Sequence, residues 1–561
     1  MSADTRTAPS ARPSLVGGIV RATGLIALVT VCARIAGFVR YLVFGANVGA
    51  GDIGTAYASA NLVPSVMFEV AAGGALAAMV IPLVAGLPAA RALERRATEV
   101  SAESIVAVLS LWTLAITGVL ALLLALAADP IAALIFPGDA PGSASLTALG
   151  ARMLRVFALQ LPCYGITIVC GAYLQSRKRF FWPAVAPLIS SLVVMASYVL
   201  YRATASSPLT VATLPAHSEA ILAWGTTLGV VAMAVSVIVP AARQGLRWRW
   251  QWRLPTGLAR SALALAGAGL AAVAAQQGVM ALILVLAARA GGTGTLPLFQ
   301  YAQAVYLLPF AILLVPVMTS VFPHLSELRL VGESAKFSAM ARGSMQSVVV
   351  LAAVGGAGLW GAALGVDRFF MAIDRTGVRG VGAATAALAL GLIAFGIITH
   401  ATRILNAQRR AGEALIVGST PWLLGAFFIV ITVLTSAPRR TPEAATLFAL
   451  CIALGMLLGA VVALALVQER ALTAADAATL RRSILAAVAA SSVASVLGLL
   501  ASRLVAGWMH GPWASMVLGG VLALASAALC LALIAVLDRE HTRTLIYRLR
   551  MRALRRKVRS S

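Results

Sequence analysis

Residues 33–87 read ARIAGFVRYLVFGANVGAGDIGTAYASANLVPSVMFEVAAGGALAAMVIPLVAGL. The stretch is apolar enough for two membrane-crossing helices. It nevertheless carries Arg34, Arg40 and Glu69, and Gly37, Gly45, Pro64, Gly73, Gly74 and Pro82 interrupt it. Charges at membrane depth are costly and usually face a protein interior or a water-filled cavity. Helix breakers at that depth are tolerated where neighbouring helices or a cavity satisfy the freed backbone. The pattern therefore reads as two helices lining a cationic cavity suited to an anionic, lipid-linked ligand, with Gly37, Pro64, Gly73 and Gly74 as points of bending.

The whole chain supports a membrane setting. Of its 561 residues, 60% are hydrophobic and only 11% are charged, against about 25% charged residues in soluble domains. The net charge of +25 would suggest nucleic acid in a soluble protein. Here the basic residues gather in short loops and in the tail, where they anchor and orient a membrane protein. The five cysteines (Cys32, Cys163, Cys170, Cys451, Cys530) lie in apolar runs without ligand spacing, and read as small buried residues rather than disulfides or metal ligands. The leader MSADTRTAPSARPS lacks the apolar core and cleavage site of a signal peptide.

Apolar runs of spanning length predict about fourteen transmembrane helices: 19–47, 54–87, 101–127, 147–175, 182–201, 219–241, 259–288, 296–322, 340–365, 382–404, 413–435, 444–467, 482–503 and 513–537. Basic residues fill alternate loops, as in Arg177, Lys178, Arg179 and in Arg409, Arg410. This bias puts both termini in the cytoplasm of a multi-pass cytoplasmic-membrane protein. Arg368, Arg375, Arg379, Arg439 and Arg440 break the pattern.

An internal repeat sets the expected architecture. YGITIVCGAYLQSRKR (164–179) aligns without gaps on FGIITHATRILNAQRR (395–410), and NLVP with VIPLV echoes YLLP with VFPHL. Both members of each pair end on the same predicted side, which makes the halves parallel repeats about an axis along the membrane normal. The expected fold is an all-α polytopic bundle: two six-helix parallel repeats plus two C-terminal helices. The boundaries are a disordered cytoplasmic leader (1–18), an N-terminal lobe (19–241), a C-terminal lobe (259–467), an added helix pair (482–537) and a basic cytoplasmic tail (538–561).

Arg34 and Arg40 lie about 9 Å apart along a helix and about 120° apart around it, so they share a face only if Gly37 bends the chain. Two guanidiniums so spaced suit the oxygens of a diphosphate, although Arg40 is also placed for snorkelling to the interface. Glu69 reads either as a counter-charge to one of them or as a cation ligand. Asn61 and Gln303 are further polar candidates for ligand contact, and Pro309 is a further gating candidate. No Walker loop, H-E-x-x-H or nucleophile elbow is present, which points away from an enzyme and offers no catalytic residue, metal site or cofactor.

The segments ARIAGFVRYLVFGANVG, TAYASANLVPSVMFEVAAGGALAAMVIPLV, LRVFALQLPCYGITIVCGAYLQSRKRFFWPAVAPLISS and YAQAVYLLPFAILLVPVMTSVFPHLSEL resemble the MurJ/MviN lipid II flippases of the MOP exporter superfamily, the actinobacterial-type members most of all. The resemblance covers most of spans one to twelve. It implies an alternating-access flippase that moves a polyprenyl-diphosphate-linked disaccharide-peptide across the membrane for cell-wall biogenesis. Arg34 and Arg40 would contact the diphosphate, and the last two helices would form a groove for the polyprenyl tail. Tyr41 and Thr55 stand where many relatives have Asp, Phe68 where many have Arg, and Gln303-Ala304 where many have Asp-Arg. The implied partners are the lipid-linked precursor, membrane lipids and cell-wall synthesis or division proteins, with no nucleic acid. The alternatives are a flippase for another polyprenyl-linked oligosaccharide and a cation-coupled multidrug exporter, in which cavity carboxylates would dominate.

Overall fold

Long apolar runs with few breakers form helices because lipid leaves the backbone no other hydrogen-bond partner. The computed structural model describes residues 15–70, 102–136, 142–205, 210–246, 252, 258–435 and 439–538. No strand occurs among the described residues. The N-terminal half contains α1 (Leu15–Asn47), α2 (Asp52–Phe68), α3 (Ala102–Leu126), α4 (Ala128–Ile135), α5 (Ser143–Ala158), α6 (Gln160–Ser176), α7 (Phe181–Thr204) and α8 (Ala216–Arg243). The remainder contains α9 (Leu258–Gly291), α10 (Thr295–Pro309), α11 (Val315–Leu330), α12 (Ser334–Ile373), α13 (Val381–Ala389), α14 (Leu392–Ala407), α15 (Ala411–Thr435), α16 (Thr441–Ala471), α17 (Ala474–Leu504) and α18 (Gly511–Leu537).

Twelve described helical spans are long and apolar enough to cross a membrane, two of them formed by α5 with α6 and by α10 with α11, and thirteen if α13 and α14, bent by 49°, count as one span. The expected span 54–87 is described only as far as residue 70. Gly73, Gly74, Pro82, most of the leader and the basic tail lie outside the described residues. Large apolar side chains stay uncovered on the outside, Leu126 at 71% and Leu434 at 79% exposure, as expected where lipid is the solvent.

The repeat reappears in backbone geometry. α6 closes with Arg179 N–H on Leu174 C=O (2.8 Å) and Lys178 N–H on Gln175 C=O (2.9 Å). α14 closes with Arg410 N–H on Leu405 C=O (3.0 Å) and Arg409 N–H on Asn406 C=O (2.9 Å). Each pair is the double bond of a left-handed helix cap, formed by residues that the ungapped alignment matches.

Helices pack through small residues. α12, 40 residues long, is clasped by α17 and α18. A Cβ on Gly365 would stand 2.6 Å from Gly519 Cα, so only glycine permits this approach. Contacts between the two halves run through α1, α2 and α4 on one side and α9, α10 and α12 on the other.

Candidate functional site

Arg40 sits two turns from the end of α1, where that helix meets α2, α7 and α10. A cavity of about 160 Å³ opens there, lined by Arg40, Tyr41, Phe44, Tyr57, Ala58, Asn61, Leu62, Ser65, Tyr198 and Gln300. The guanidinium of Arg40 lies 5.8 Å from the Tyr41 ring centroid, a cation–π separation. It has no carboxylate or hydrogen-bond partner among the described residues, and no carboxylate lines the cavity. An unpaired cation in such a place favours an anion with several oxygens.

Neutral groups fix the wall around it. Tyr57 Oη pairs with Tyr198 Oη at 2.7 Å and with Thr226 Oγ1 at 2.9 Å. Gln160, fully buried, donates from Nε2 to Thr227 Oγ1 (3.4 Å) and, at long range, to Asn61 Oδ1 (3.5 Å), and accepts from Tyr164 Oη (3.3 Å). Phe68 stacks on Tyr164 at 4.5 Å. Buried hydroxyls and amides satisfied in this way hold their rotamers. None of Tyr57, Tyr198 or Gln160 stood out in the sequence, because a neutral residue in an apolar run carries no charge signal.

The other sequence candidates scatter around this centre. Asn61 lines the cavity with Arg40. Arg34 is exposed, six residues earlier on the same uninterrupted helix, and is not part of the lining. Glu69 is exposed at the end of α2 and forms no ion pair among the described residues. Gln303 is half-buried, its Nε2 3.7 Å from Met280 Sδ; Gln300, one turn earlier, faces the cavity instead. Gly37 has open space where a Cβ would stand. Pro64 is buried inside α2, which continues past it. Pro309 leads into a π-turn at Phe310–Leu314 before α11 begins.

At one end of the bundle the halves are fastened together. Asp374, 5% exposed, follows α12. Its Oδ1 accepts from Ala50 N–H (3.3 Å), Thr376 N–H (2.9 Å) and Thr376 Oγ1 (2.6 Å), and its Oδ2 from Tyr301 Oη (2.9 Å). Arg375 gives its N–H to Gly45 C=O (2.9 Å) and its guanidinium to Asn47 C=O (3.2 Å) and Ala205 C=O (2.6 Å). Partial burial, with the like charge of Arg202 beside it, pulls the Arg375 guanidinium below its usual pKa. Gly294 N–H donates to Thr55 Oγ1 at 2.8 Å. Ala50, Gly45, Asn47, Ala205 and Thr55 belong to the first half; Asp374, Arg375, Tyr301 and Gly294 belong to the second.

Two further cavities lie in the second half. One, of about 430 Å³, is an apolar groove formed by α12, α13, α14, α16 and α17, with Trp360, Ile393, Leu457, Val461 and Val488 among its walls. The other, of about 380 Å³, is polar and lies at the opposite end of the molecule from Asp374, lined among others by Arg329, Arg410 and Arg470. Arg410 and Arg470 there share Glu413, at 2.7 Å and 3.4 Å.

Comparison with known proteins places this arrangement. The family model described as lipid II flippase MurJ matches residues 44–519. A curated relative from Synechocystis sp., named a probable lipid II flippase MurJ, is 26% identical over 223 residues. That match covers 40% of this chain, and the chain spans 40% of the relative's length. Among solved structures, a lipid II flippase MurJ in an inward closed conformation superposes with a TM-score of 0.69 at 17% identity, over 93% of this chain and 99% of that one. An inward-facing multidrug resistance MATE family transporter of the MOP superfamily gives 0.61 at 13% identity, over 80% of this chain and 95% of its own. At these identities the structural matches speak for the fold.

Proposed function

The chain belongs to the lipid II flippase MurJ family, and on that premise we propose that it carries a polyprenyl-diphosphate-linked peptidoglycan precursor across the cytoplasmic membrane. The observation that carries this reading is the cavity around Arg40: a guanidinium without a carboxylate, among aromatic and amide groups, between the two halves of the bundle. The planar guanidinium fork matches a diphosphate. The tyrosines and the amides of Asn61 and Gln300 offer stacking faces and hydrogen bonds to an adjoining sugar. A cation-coupled drug exporter would instead need acidic groups in this cavity.

In the proposed cycle both termini are cytoplasmic, and the Asp374 end of the bundle faces outward. With that end fastened, the headgroup enters from the cytoplasm, meets Arg34 on the exposed part of α1, and settles on Arg40. The polyprenyl tail stays in the lipid, in the apolar groove beside α16 and α17. Rocking of the lobes 19–241 and 259–467 then releases the closure and opens the cavity outward. Glu69 and Gln303 would meet the headgroup in other stages of the cycle, and Pro64 and Pro309 would take up bending of α2 and α10.

Depletion of the protein in cells lacking any other flippase tests the substrate. Disaccharide-peptide linked to polyprenyl diphosphate should accumulate in the inner leaflet. Accumulation of a different polyprenyl-linked glycan would assign the protein to that glycan instead.

A further inference from the structure

Tyr301 touches both the cavity wall and the closure. Its ring meets Tyr41 edge-on, with centroids 6.4 Å apart at 84°, and stacks on Phe370 at 4.9 Å. Its hydroxyl donates to Asp374 Oδ2. Tyr41 in turn lies beneath the guanidinium of Arg40. Gly45 leaves the room for this junction, since a Cβ there would stand 3.2 Å from Tyr301 Oη and 3.4 Å from Asp374 Oδ2. A continuous line of contact thus runs from Arg40 through Tyr41 and Tyr301 to Asp374, and through Asp374 Oδ1 to the backbone of Ala50 in the α1–α2 turn.

We propose that Tyr301 is a positioning residue that reports occupancy of the Arg40 cavity to the Asp374 closure. Arg40 rests on Tyr41, Tyr41 supports Tyr301, and the Tyr301 hydroxyl holds Asp374 where it can bind Ala50 N–H. An anion on Arg40 draws the guanidinium away from the Tyr41 face. Tyr41 and Tyr301 then repack, and close-packed interiors shift between discrete arrangements rather than yielding smoothly. Asp374 loses a donor in a buried site, which is costly for a carboxylate, and water entering as the halves part replaces it. The anion shifts the equilibrium only by its tighter binding to the open form, in which Arg40 is no longer shared with Tyr41. The proposal rests on Arg40 as the anion-binding group, and it gives alternating access a physical connection between ligand and gate.

The test uses the full chain in lipid nanodiscs, with its five native cysteines replaced and Ala50→Cys introduced as a reporter. Ala50 is 2% exposed, so a hydrophilic maleimide reacts with the new thiol only when the closure opens. The parent should label slowly when empty and faster with added undecaprenyl-diphosphate-linked disaccharide-peptide. Tyr301→Phe keeps the ring and removes one hydrogen bond to a charged group, so it should label about tenfold faster without lipid and respond little to lipid. Asp374→Asn, which keeps the shape, should show the same basal rise. Basal labelling of both variants equal to that of the parent overturns the closing role. A raised basal rate that lipid still multiplies by the parent's factor overturns the reporting role. If lipid leaves the parent unchanged, the substrate reading fails and the reporting role with it, while the closing role is judged separately by the basal rates.

Discussion

Lys178 and Arg409 hold the same unusual backbone at matching places in two copies of one helix end. Their φ angles are 61° and 63°, the positive values found among the described non-glycine residues. A side chain in this left-handed region costs about 1–2 kcal/mol. Glycine would serve the cap better, yet both copies carry a long basic residue just past the end of an apolar helix, the kind of position where charge orients a membrane protein.

Lys178→Gly and Arg409→Gly should therefore each stabilise the folded protein, by about 0.5–1 kcal/mol, as the strain of the cap is relieved. Arg409→Val should destabilise it, because a β-branched residue tolerates positive φ least. Thermal unfolding of the purified protein in detergent measures all three, and a fall in Tm for both glycine variants would contradict the cap assignment.

Arg40 and Arg34 should respond differently to the same substitution. Arg40→Lys keeps the charge but loses the fork, and should lower lipid translocation in proteoliposomes by an amount equivalent to about 1.5–3 kcal/mol. Arg34→Lys should be tolerated within about twofold, since an exposed residue that meets the headgroup acts as a point charge. Equal losses at both positions would mean that Arg34 shares the docking geometry with Arg40.

Gly45→Ala should weaken the fastening of the two halves. Its new methyl group would press on Tyr301 Oη and Asp374 Oδ2, at 3.2 Å and 3.4 Å, and overpacking of this kind costs about 1–3 kcal/mol. The expected result is faster modification of a cysteine at Ala50 with no loss of expression in the membrane. Unchanged modification would show that the junction has slack.

Filling the apolar groove should discriminate between tail and headgroup. Ala460 lines it, and Ala460→Phe should reduce transport of a long polyprenyl lipid while leaving inorganic diphosphate binding at Arg40 intact. A loss of both would indicate collapse of the helix packing instead.

The span pattern was legible because about 20 apolar residues in a row leave few alternatives. Arg40 was legible because a charge in such a run stands out. Tyr301 and Asp374 were not: the first is an ordinary aromatic residue in an apolar helix, and the second lies in a polar loop like any other. The signal that existed was the set of arginines breaking the charge bias. Arg375 is spent on carbonyls of the other half, and Arg368 donates to Ala506 C=O, so these cations serve structure more than orientation. The bend between α13 and α14 and the π-turn at Phe310–Leu314 also escaped the sequence, since hydropathy reports length and not direction.

The 40 residues of α12 make a rod about 60 Å long, roughly twice the hydrocarbon thickness of a bilayer. Asp374 rides on one tip. Near the other tip Arg342 is tied to Asp476 at 2.7 Å, and Gln346 to Ser483 at 2.8 Å. A rod gripped in this way behaves as a lever. A tilt of about 10° about that grip would sweep the Asp374 tip through about 8 Å, far beyond the reach of any hydrogen bond. The length of the helix therefore magnifies a small rotation at one end of the bundle into release of the closure at the other.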